Sequence, residues 1–157
     1  MNSSTEKILY RKAALIFEEL GFLMPRSDTA EDSHADRISA AVNFKGPFSG
    51  CLIVSVNPDM LSQLSANMLG DEEQSNTSME RDSLGEIANV ICGNALPAIY
   101  GFEPVFHLDA PTIVENAEEL ANDSSLIKQA EVHISFDAGS ATVSLLVESN
   151  ASEMKTS

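Results

Sequence analysis

Residues 82–97, DSLGEIANVICGNALP, contain the side chains of this sequence that are best suited to act together chemically. Two carboxylates and one carboxamide, Asp82, Glu86 and Asn89, are spaced so that they would lie on one side of an α-helix. A carboxylate can hold a cationic group of a partner, and an amide can both donate and accept hydrogen bonds, including those of water. The same residue types also occur on helix faces that only contact solvent. Whether this face binds a partner or is merely solvated therefore has to be judged from how the residues are arranged.

A helix over about residues 79–96 would position these side chains, and its two faces differ in composition. Its apolar residues recur at the i, i+3, i+4, i+7 spacing of a packed face: Leu84, Ile87, Ala88, Ile91 and Ala95. At about 100° per residue, a second group lies between about 140° and 200° from Leu84, on the opposite face. This group, which we call the polar stripe, consists of Asp82, Glu86, Asn89 and Gly93.

Two glycines in this helix are unfavourable for its stability. Each interior glycine costs roughly 1 kcal/mol relative to alanine, and a face that only contacts solvent would favour Lys, Glu, Gln or Ala. Gly93 leaves room for close approach to the polar stripe, and Gly85, beside the stripe, leaves room as well. The combination weakens the interpretation of a face that only contacts solvent, and both a solvated and a functional face stay open on helix geometry alone. Pro97 cannot donate a hydrogen bond to the Gly93 carbonyl, so we expect the helix to end or kink there.

The rest of the chain predicts an α+β fold, in which β-hairpins form a largely antiparallel sheet and two to three long helices pack alongside it. The patterns predict a helix at 5–20 stopped by Gly21, a hairpin at 37–56, a helix capped by Asn57 and ended by Gly70, a strand at 104–114 and a hairpin at 130–149. We expect an acidic loop at 71–76 and a disordered tail at 150–157. The length of 157 residues indicates a single domain, residues 1–157.

Charge and composition restrict the partners and the compartment. Nine Lys and Arg against 24 Asp and Glu give a net charge of −15, which argues against nucleic acid and anionic membranes as partners. Cys51 and Cys92 both lie in apolar patterns, which predicts buried thiols and a reducing compartment. The first residues lack the apolar segment of a secretion signal, and no apolar run approaches the ~20 residues of a membrane span. We expect a cytoplasmic protein.

The motif also carries a resemblance to a known family. Asp82, Glu86, Asn89 and Pro111 are separated by three, two and 21 residues. This spacing resembles the signature of the CheC/CheX/FliY family, the chemotaxis phosphatases that act on the phosphorylated response regulator CheY. The segment LGEIANVICGNA is most similar to CheX, and the single copy of the motif also favours the CheX type, since CheC-type members carry it twice. The resemblance covers roughly residues 36–148, and Pro97 departs from the family pattern.

The resemblance implies a hydrolase that removes the aspartyl-phosphate of a CheY-like response regulator in two-component signalling. It implies that Asn89 orients the attacking water and that Glu86 docks the partner's active-site Lys, with Asp82 and Gly93 in partner binding. Asp82 would also support the helix start, where a carboxylate suits the helix dipole. The partner would supply Mg²⁺ and the phosphoryl group, so we expect no cofactor or metal on this chain. The resemblance further implies a homodimer, which we expect to pair through strand edges in the hairpin at 130–149.

Other interpretations of the residues stay open. A non-catalytic module with the same fold would bind a receiver or another signalling partner without hydrolysis, although intact Glu86 and Asn89 favour catalysis. His107, Asp109 and His133 would form a metal site if their strands met. Cys92 would be a nucleophile if a base lay beside it. Both of these sites need a proximity that the sequence does not indicate, and ordinary strand or core residues are the simpler interpretation.

Overall fold

Six antiparallel strands form one sheet, and three helices pack against it, in the part of the chain that the structure describes. The structure is a computed structural model, and it describes residues 3–26, 37–69, 77–114 and 125–149. The elements are α1 (Ser3–Gly21), β1 (Ile38–Lys45), β2 (Gly50–Val56), α2 (Pro58–Leu69), α3 (Thr77–Tyr100), β3 (His107–Leu108), β4 (Thr112–Val114), β5 (Leu126–Phe136) and β6 (Gly139–Glu148). The strand order is β3–β1–β2–β6–β5, and β4 also pairs with β1. The predicted α+β fold with a largely antiparallel sheet is confirmed.

Both predicted hairpins are present, and they meet in the middle of the sheet. β1 pairs with β2 from Ile38↔Val56 to Phe44↔Gly50, and β5 pairs with β6 up to Phe136↔Gly139. β2 and β6 are neighbours in the sheet and join the two hairpins. Because the side-chain period of a strand is two, alternate residues of these strands face the helices, and they form the main hydrophobic core together with the apolar helix faces.

The strand predicted at 104–114 is divided into two short strands. β3 and β4 both pair with β1, near its two ends. Between them Asp109 N donates to Asn43 O at 2.9 Å. Pro111 follows without an N–H group that could continue the ladder. The proline therefore explains why one predicted strand becomes two pieces along β1.

α1 ends at Gly21, the residue that the sequence marks as a stop, but for a different reason. The residue in the left-handed conformation is Phe22, with a φ of 53°, and Leu23 N donates to Phe17 O at 3.1 Å to close the helix end. A Cβ on Gly21 would lie 2.6 Å from Leu64 Cδ1. Gly21 is therefore favoured by the close packing of α1 on α2 and not by its own backbone conformation.

Asn57 precedes α2 but does not cap it with its side chain, which corrects the sequence prediction. Its Oδ1 accepts a hydrogen bond from Ser140 N at 2.9 Å, and its Nδ2 donates to Ala138 O at 3.4 Å. The Asn57 side chain therefore ties the start of α2 to the turn between β5 and β6. This long-range contact replaces the local one that the asparagine suggested.

The position of β6 corrects the expectation that residues 141–148 offer a strand edge to a second chain. β6 pairs with β2 on one side and with β5 on the other, so both of its edges are used. β5 is the edge strand at this end of the sheet, and its outer side is partly occupied. Glu131 N donates to Glu6 Oε2 at 3.4 Å, and Arg26 N donates to Ser135 O at 2.7 Å. Such contacts hinder edge-to-edge pairing, and the homodimer itself stays a prediction.

Some predictions concern residues that the structure does not describe. The predicted helix end at Gly70, the acidic loop at 71–76 and the tail at 150–157 all lie outside the described ranges. Within those ranges, none of the helices combines the length and the apolar character needed to cross a membrane.

Candidate functional site

α3 presents its apolar face to the core. Every residue of the predicted packed face is fully buried, with an exposed fraction of 0%: Leu84, Ile87, Ala88, Ile91 and Ala95. α1, α2, β1 and β2 all pack against the helix. The core therefore determines which face of α3 points outward.

The polar stripe lies on the outer face of α3, as predicted. Asp82, Glu86, Asn89 and Gly93 are all exposed. Within the described ranges, no hydrogen bond or ion pair involves the side chains of Asp82, Glu86 or Asn89. These side chains are therefore available to another molecule, and the roles that the family resemblance assigns to them stay predictions.

The start of α3 corrects the expected contribution of Asp82 to the helix dipole. α3 begins at Thr77, so Asp82 lies beyond the first turn, and Glu80 is the acidic residue of that turn. Glu80 Oε2 also accepts a hydrogen bond from Ser62 Oγ of α2 at 3.0 Å. Because the dipole acts mainly within the first turn, Glu80 rather than Asp82 complements it.

Pro97 does not end α3, so that half of the expectation is wrong, and the kink stays a prediction. The helix continues to Tyr100, and Gly101 N donates to Pro97 O at 2.8 Å. The carbonyl that loses its helical donor belongs to Gly93, which is exposed, so water can replace the missing hydrogen bond. The proline is therefore tolerated, because the carbonyl that it leaves without a helical donor faces solvent.

The two glycines of α3 have different surroundings. A Cβ on Gly93 would meet only Leu108 Cδ2, at an ordinary contact distance of 3.9 Å. A Cβ on Gly85 would lie 3.2 Å from Pro111 Cγ and 3.4 Å from Pro111 Cβ, and Gly85 is buried. The expectation that Gly85 leaves room for an approaching partner is therefore wrong, since Pro111 of the same chain fills that room.

Pro111 is the motif residue whose place the sequence did not give. Its ring packs on Gly85, yet Pro111 itself is exposed. Gly85 follows Asp82 by three residues and precedes Asn89 by four, and residues at these separations are neighbours on a helix surface. Pro111 therefore lies beside the part of α3 that carries Asp82 and Asn89, and the signal for this in the sequence was its spacing from the motif.

An apolar groove of about 240 Å³ opens beside Gly93, at the C-terminal end of the polar stripe. Phe102 and Val105 line it, and Phe102 is 89% exposed. Beneath the groove, Phe48 packs edge to face against Tyr100 and Phe106, with ring centroids 4.9 and 5.2 Å apart. Burial raises the pKa of Tyr100 to about 12. The sequence analysis missed this groove because single apolar residues in an irregular segment carry no periodic signal.

The metal site considered from the sequence lacks its geometry. His107 lies on β3 and His133 on β5, at opposite ends of the strand order. In the part of the chain that the structure describes, no three His, Cys, Asp or Glu residues are grouped as a metal site would require. His107 and His133 are exposed strand residues.

Cys92 is not placed to act as a nucleophile. Its exposed fraction is 0%, and that of Cys51 is 2%, so the predicted burial of both thiols is confirmed. Burial raises the pKa of Cys92 to about 12 and that of Cys51 to about 11. Both thiols are therefore protonated at neutral pH, whereas the thiolate is the reactive form.

Comparison with known proteins identifies the family. The family model described as chemotaxis phosphatase CheX matches residues 38–137, a range that contains the whole polar stripe and Pro111. The fold is thus that of a class of chemotaxis phosphatases. The chain belongs to the CheX family. No curated protein matches the sequence.

Solved structures share the fold at low sequence identity. The chemotaxis protein CheX from Desulfovibrio desulfuricans has a TM-score of 0.70 and 18% identity, covering 92% of this chain and 99% of that one. CheX from Vibrio vulnificus has a TM-score of 0.65 and 19% identity, covering 92% and 96%. CheX from Borrelia burgdorferi, solved as a CheX–CheY–BeF₃–Mg²⁺ complex, has a TM-score of 0.63 and 14% identity, covering 90% and 96%.

Proposed function

We propose that this protein removes the aspartyl-phosphate of a CheY-like response regulator in chemotaxis or a related two-component pathway, and that the polar stripe is the site. One observation carries the proposal. In a chain of the CheX family, Glu86 and Asn89 lie exposed on the outer face of a helix whose other face is anchored in the core. A site of this kind would act by inserting its side chains into the partner and not by enclosing a substrate.

Glu86 is the proposed docking group. Its carboxylate is exposed and forms no ion pair within the described ranges, so it can bind an ammonium group of another protein. In the proposal this group is the active-site Lys of the receiver. The net charge of −15 favours encounter with a partner surface that presents such a cation.

Asn89 is the proposed catalytic group. It follows Glu86 by three residues and therefore lies almost one turn further along the same face of α3. Its amide can orient a water molecule in line with the phosphoryl group, and an amide needs no shifted pKa for this role. Phosphoryl transfer depends mainly on positioning and on stabilisation of charge, so one oriented water is a sufficient contribution from this side.

The receiver would supply the remaining components of the reaction. In the proposal it carries the phosphorylated Asp and the Mg²⁺, and this chain binds no cofactor. The Borrelia burgdorferi protein was solved with CheY, BeF₃ and Mg²⁺, which supports a receiver of this type as the partner here. Asp82 and Gly93 would complete the contact surface at the two ends of the polar stripe.

The proposal is tested by the decay of a phosphorylated receiver. A purified CheY-type receiver is phosphorylated with a small-molecule phosphodonor in the presence of Mg²⁺, the donor is removed, and the loss of phosphate is followed with and without this protein. We expect faster decay with the protein and no acceleration by the double variant Glu86→Ala, Asn89→Ala. Equal decay with and without the wild-type chain, at concentrations where the receiver is bound, would falsify the catalytic proposal. It would then support the alternative of a non-catalytic receiver-binding module.

We also expect a homodimer, located in the cytoplasm with its receiver. β6 has no free edge and the outer side of β5 is partly occupied, so the edge formed by β3 and β4 is the one we propose for pairing. Light scattering at micromolar concentration measures the mass directly, and a monomeric mass contradicts this expectation.

A further inference from the structure

Pro111 forms a tight contact with α3 beside the polar stripe. An added Cβ at Gly85 would lie 3.2 Å from Pro111 Cγ, which is closer than ordinary side-chain contacts allow. A side chain at position 85 would therefore displace the ring from the helix by a few tenths of an ångström. Gly85 is buried although it lies next to the exposed stripe, which agrees with a neighbour covering it.

The segment that carries Pro111 is attached to the sheet on both sides. Asp109 N donates to Asn43 O of β1 at 2.9 Å, and Thr112 of β4 pairs with Ala41 of β1. The fixed φ of proline further restricts the backbone between these two attachments. Pro111 is therefore a rigid link from the edge of the sheet to the side of α3.

The contact lies at the part of α3 that carries the motif. Gly85 directly precedes Glu86, and it is a helix-surface neighbour of Asp82 and Asn89. The buried face of α3 packs on the core, whereas Pro111 contacts the helix at Gly85, beside the polar stripe. A shift of Pro111 would therefore change the position of the polar stripe without removing any residue of the stripe.

We propose that Pro111 is a positioning residue that acts through Gly85 and fixes the polar stripe in the orientation in which the receiver meets it. This inference rests on the proposed function, because it assigns Pro111 to the same site. Pro111 carries no group that takes part in the reaction. Its contribution is the distance that its ring sets between the residue 109–111 segment and α3.

Four proteins test the inference: the wild type, Gly85→Ala, Pro111→Ala and the double variant Gly85→Ala, Pro111→Ala. The methyl group of Gly85→Ala crowds the ring, and we expect it to lower kcat by about three- to tenfold, since a misplacement of about 1 Å can cost about 100-fold. Pro111→Ala removes the ring and leaves a gap, with an expected loss of a few fold. In the double variant the new methyl occupies the space of the ring, so we expect kcat to return to within about threefold of the wild type.

A purely structural role would give a different pattern. Alanine favours the helix more than glycine does, so Gly85→Ala should lose kcat without a matching loss of melting temperature. Pro58→Ala, at the exposed start of α2, is the matched proline control and should keep the wild-type rate. Losses that simply add in the double variant, or an unchanged kcat in Gly85→Ala, overturn the inference.

Binding of a beryllofluoride- and Mg²⁺-loaded receiver separates this inference from the proposed function. If the wild type does not accelerate dephosphorylation but does bind the receiver, the proposed function fails. The inference is then decided by whether the two substitutions compensate each other in the dissociation constant. Compensation supports positioning of the stripe, and additive or absent effects overturn it. A wild-type protein that neither binds the receiver nor accelerates its dephosphorylation overturns both.

Discussion

Gly85 and Gly93 lie about two turns apart on the same helix, yet contacts within the described part of the chain account for Gly85 and not for Gly93. At Gly85 a methyl group would lie 3.2 Å from Pro111 Cγ, tighter than an ordinary contact, so packing within the protein favours the glycine. At Gly93 a methyl group would meet only Leu108 at 3.9 Å, so the described part of the chain would accept alanine there. Glycine in a helix costs roughly 1 kcal/mol relative to alanine, and the proposed approach of a receiver would account for Gly93, which no contact among the described residues explains.

The two faces of α3 differ in the same way, because one packs against the rest of the chain and the other is exposed. Its buried face contacts the rest of the chain and should respond to substitution through stability. The side chains of its polar stripe form no hydrogen bond or ion pair in the described ranges, so substitutions there should act on binding and rate. Substitutions on the two faces therefore test whether stability and function are separated on this helix.

The largest effect is expected from the buried face. Ile91→Ala removes three methylene-sized groups from a fully buried site, and we expect a loss of about 2–5 kcal/mol in the free energy of unfolding. For a chain of this size that corresponds to a melting temperature lower by about 2–4 °C per kcal/mol. Ile91→Val is the graded control, with an expected loss of about 0.5–1.5 kcal/mol. Thermal melts measure both. Melting temperatures equal to that of the wild type would show that Ile91 is not a core residue.

Asn89→Ala should affect the rate and leave the fold intact. It removes the proposed water-orienting amide, and we expect the dephosphorylation rate to fall about 10- to 1,000-fold, corresponding to ~1.4–4 kcal/mol of transition-state stabilisation. Receiver binding and the melting temperature should change little, because the side chain is exposed and has no partner in the described chain.

Asn94→Ala is the matched control for this experiment. Asn94 is also exposed on α3, but its Nδ2 donates to Val90 O of the same helix at 2.8 Å, and it lies outside the polar stripe. We expect it to keep the wild-type rate. A folded Asn89→Ala protein with full activity would remove Asn89 from the catalytic role and favour the interaction module.

These faces could be predicted from the sequence because burial on a regular helix follows a local period. Leu84, Ile87 and Ile91 are buried and the polar stripe is exposed, as the spacing of apolar residues indicated. The two hairpins were predicted for the same reason, since alternating residues report which side of a strand is covered.

The features that the sequence did not give depend on contacts between distant segments. The place of Pro111 depends on how the segment after β3 returns to β1 and on what it meets there. Gly21 was read as a local helix stop, but it serves the packing of α1 against Leu64. Pro97 is tolerated because the Gly93 carbonyl, which loses its helical donor, is exposed to solvent. In each case the residue type drew attention to the position, but the position is explained by the packing of the folded chain and not by the local sequence.

Glu86→Lys should weaken the complex as well as the rate. It places a positive charge opposite the proposed Lys of the receiver, and we expect the dissociation constant to rise by about 10- to 100-fold. Glu19→Lys on α1 has the same change in net charge at another exposed position, and it should bind like the wild type. Titration of a beryllofluoride-loaded receiver measures both variants. Equal weakening by the two substitutions would mean that overall charge, and not docking at Glu86, controls binding.

Gly93→Ala should give the smallest effect, and it should separate stability from the dephosphorylation rate most clearly. The added methyl has space within the described chain, and alanine favours the helix, so we expect a gain of up to about 1 kcal/mol in the free energy of unfolding. The same methyl stands on the surface that the receiver is proposed to approach, so we expect the dephosphorylation rate at low receiver concentration to fall a few fold. Stability and activity would then move in opposite directions after one substitution, which no change confined to folding can produce. A thermal melt and the decay assay, run on the same preparation, measure the pair. A more stable protein with an unchanged rate would show that no partner requires the glycine, and the contrast between Gly85 and Gly93 would lose its functional meaning.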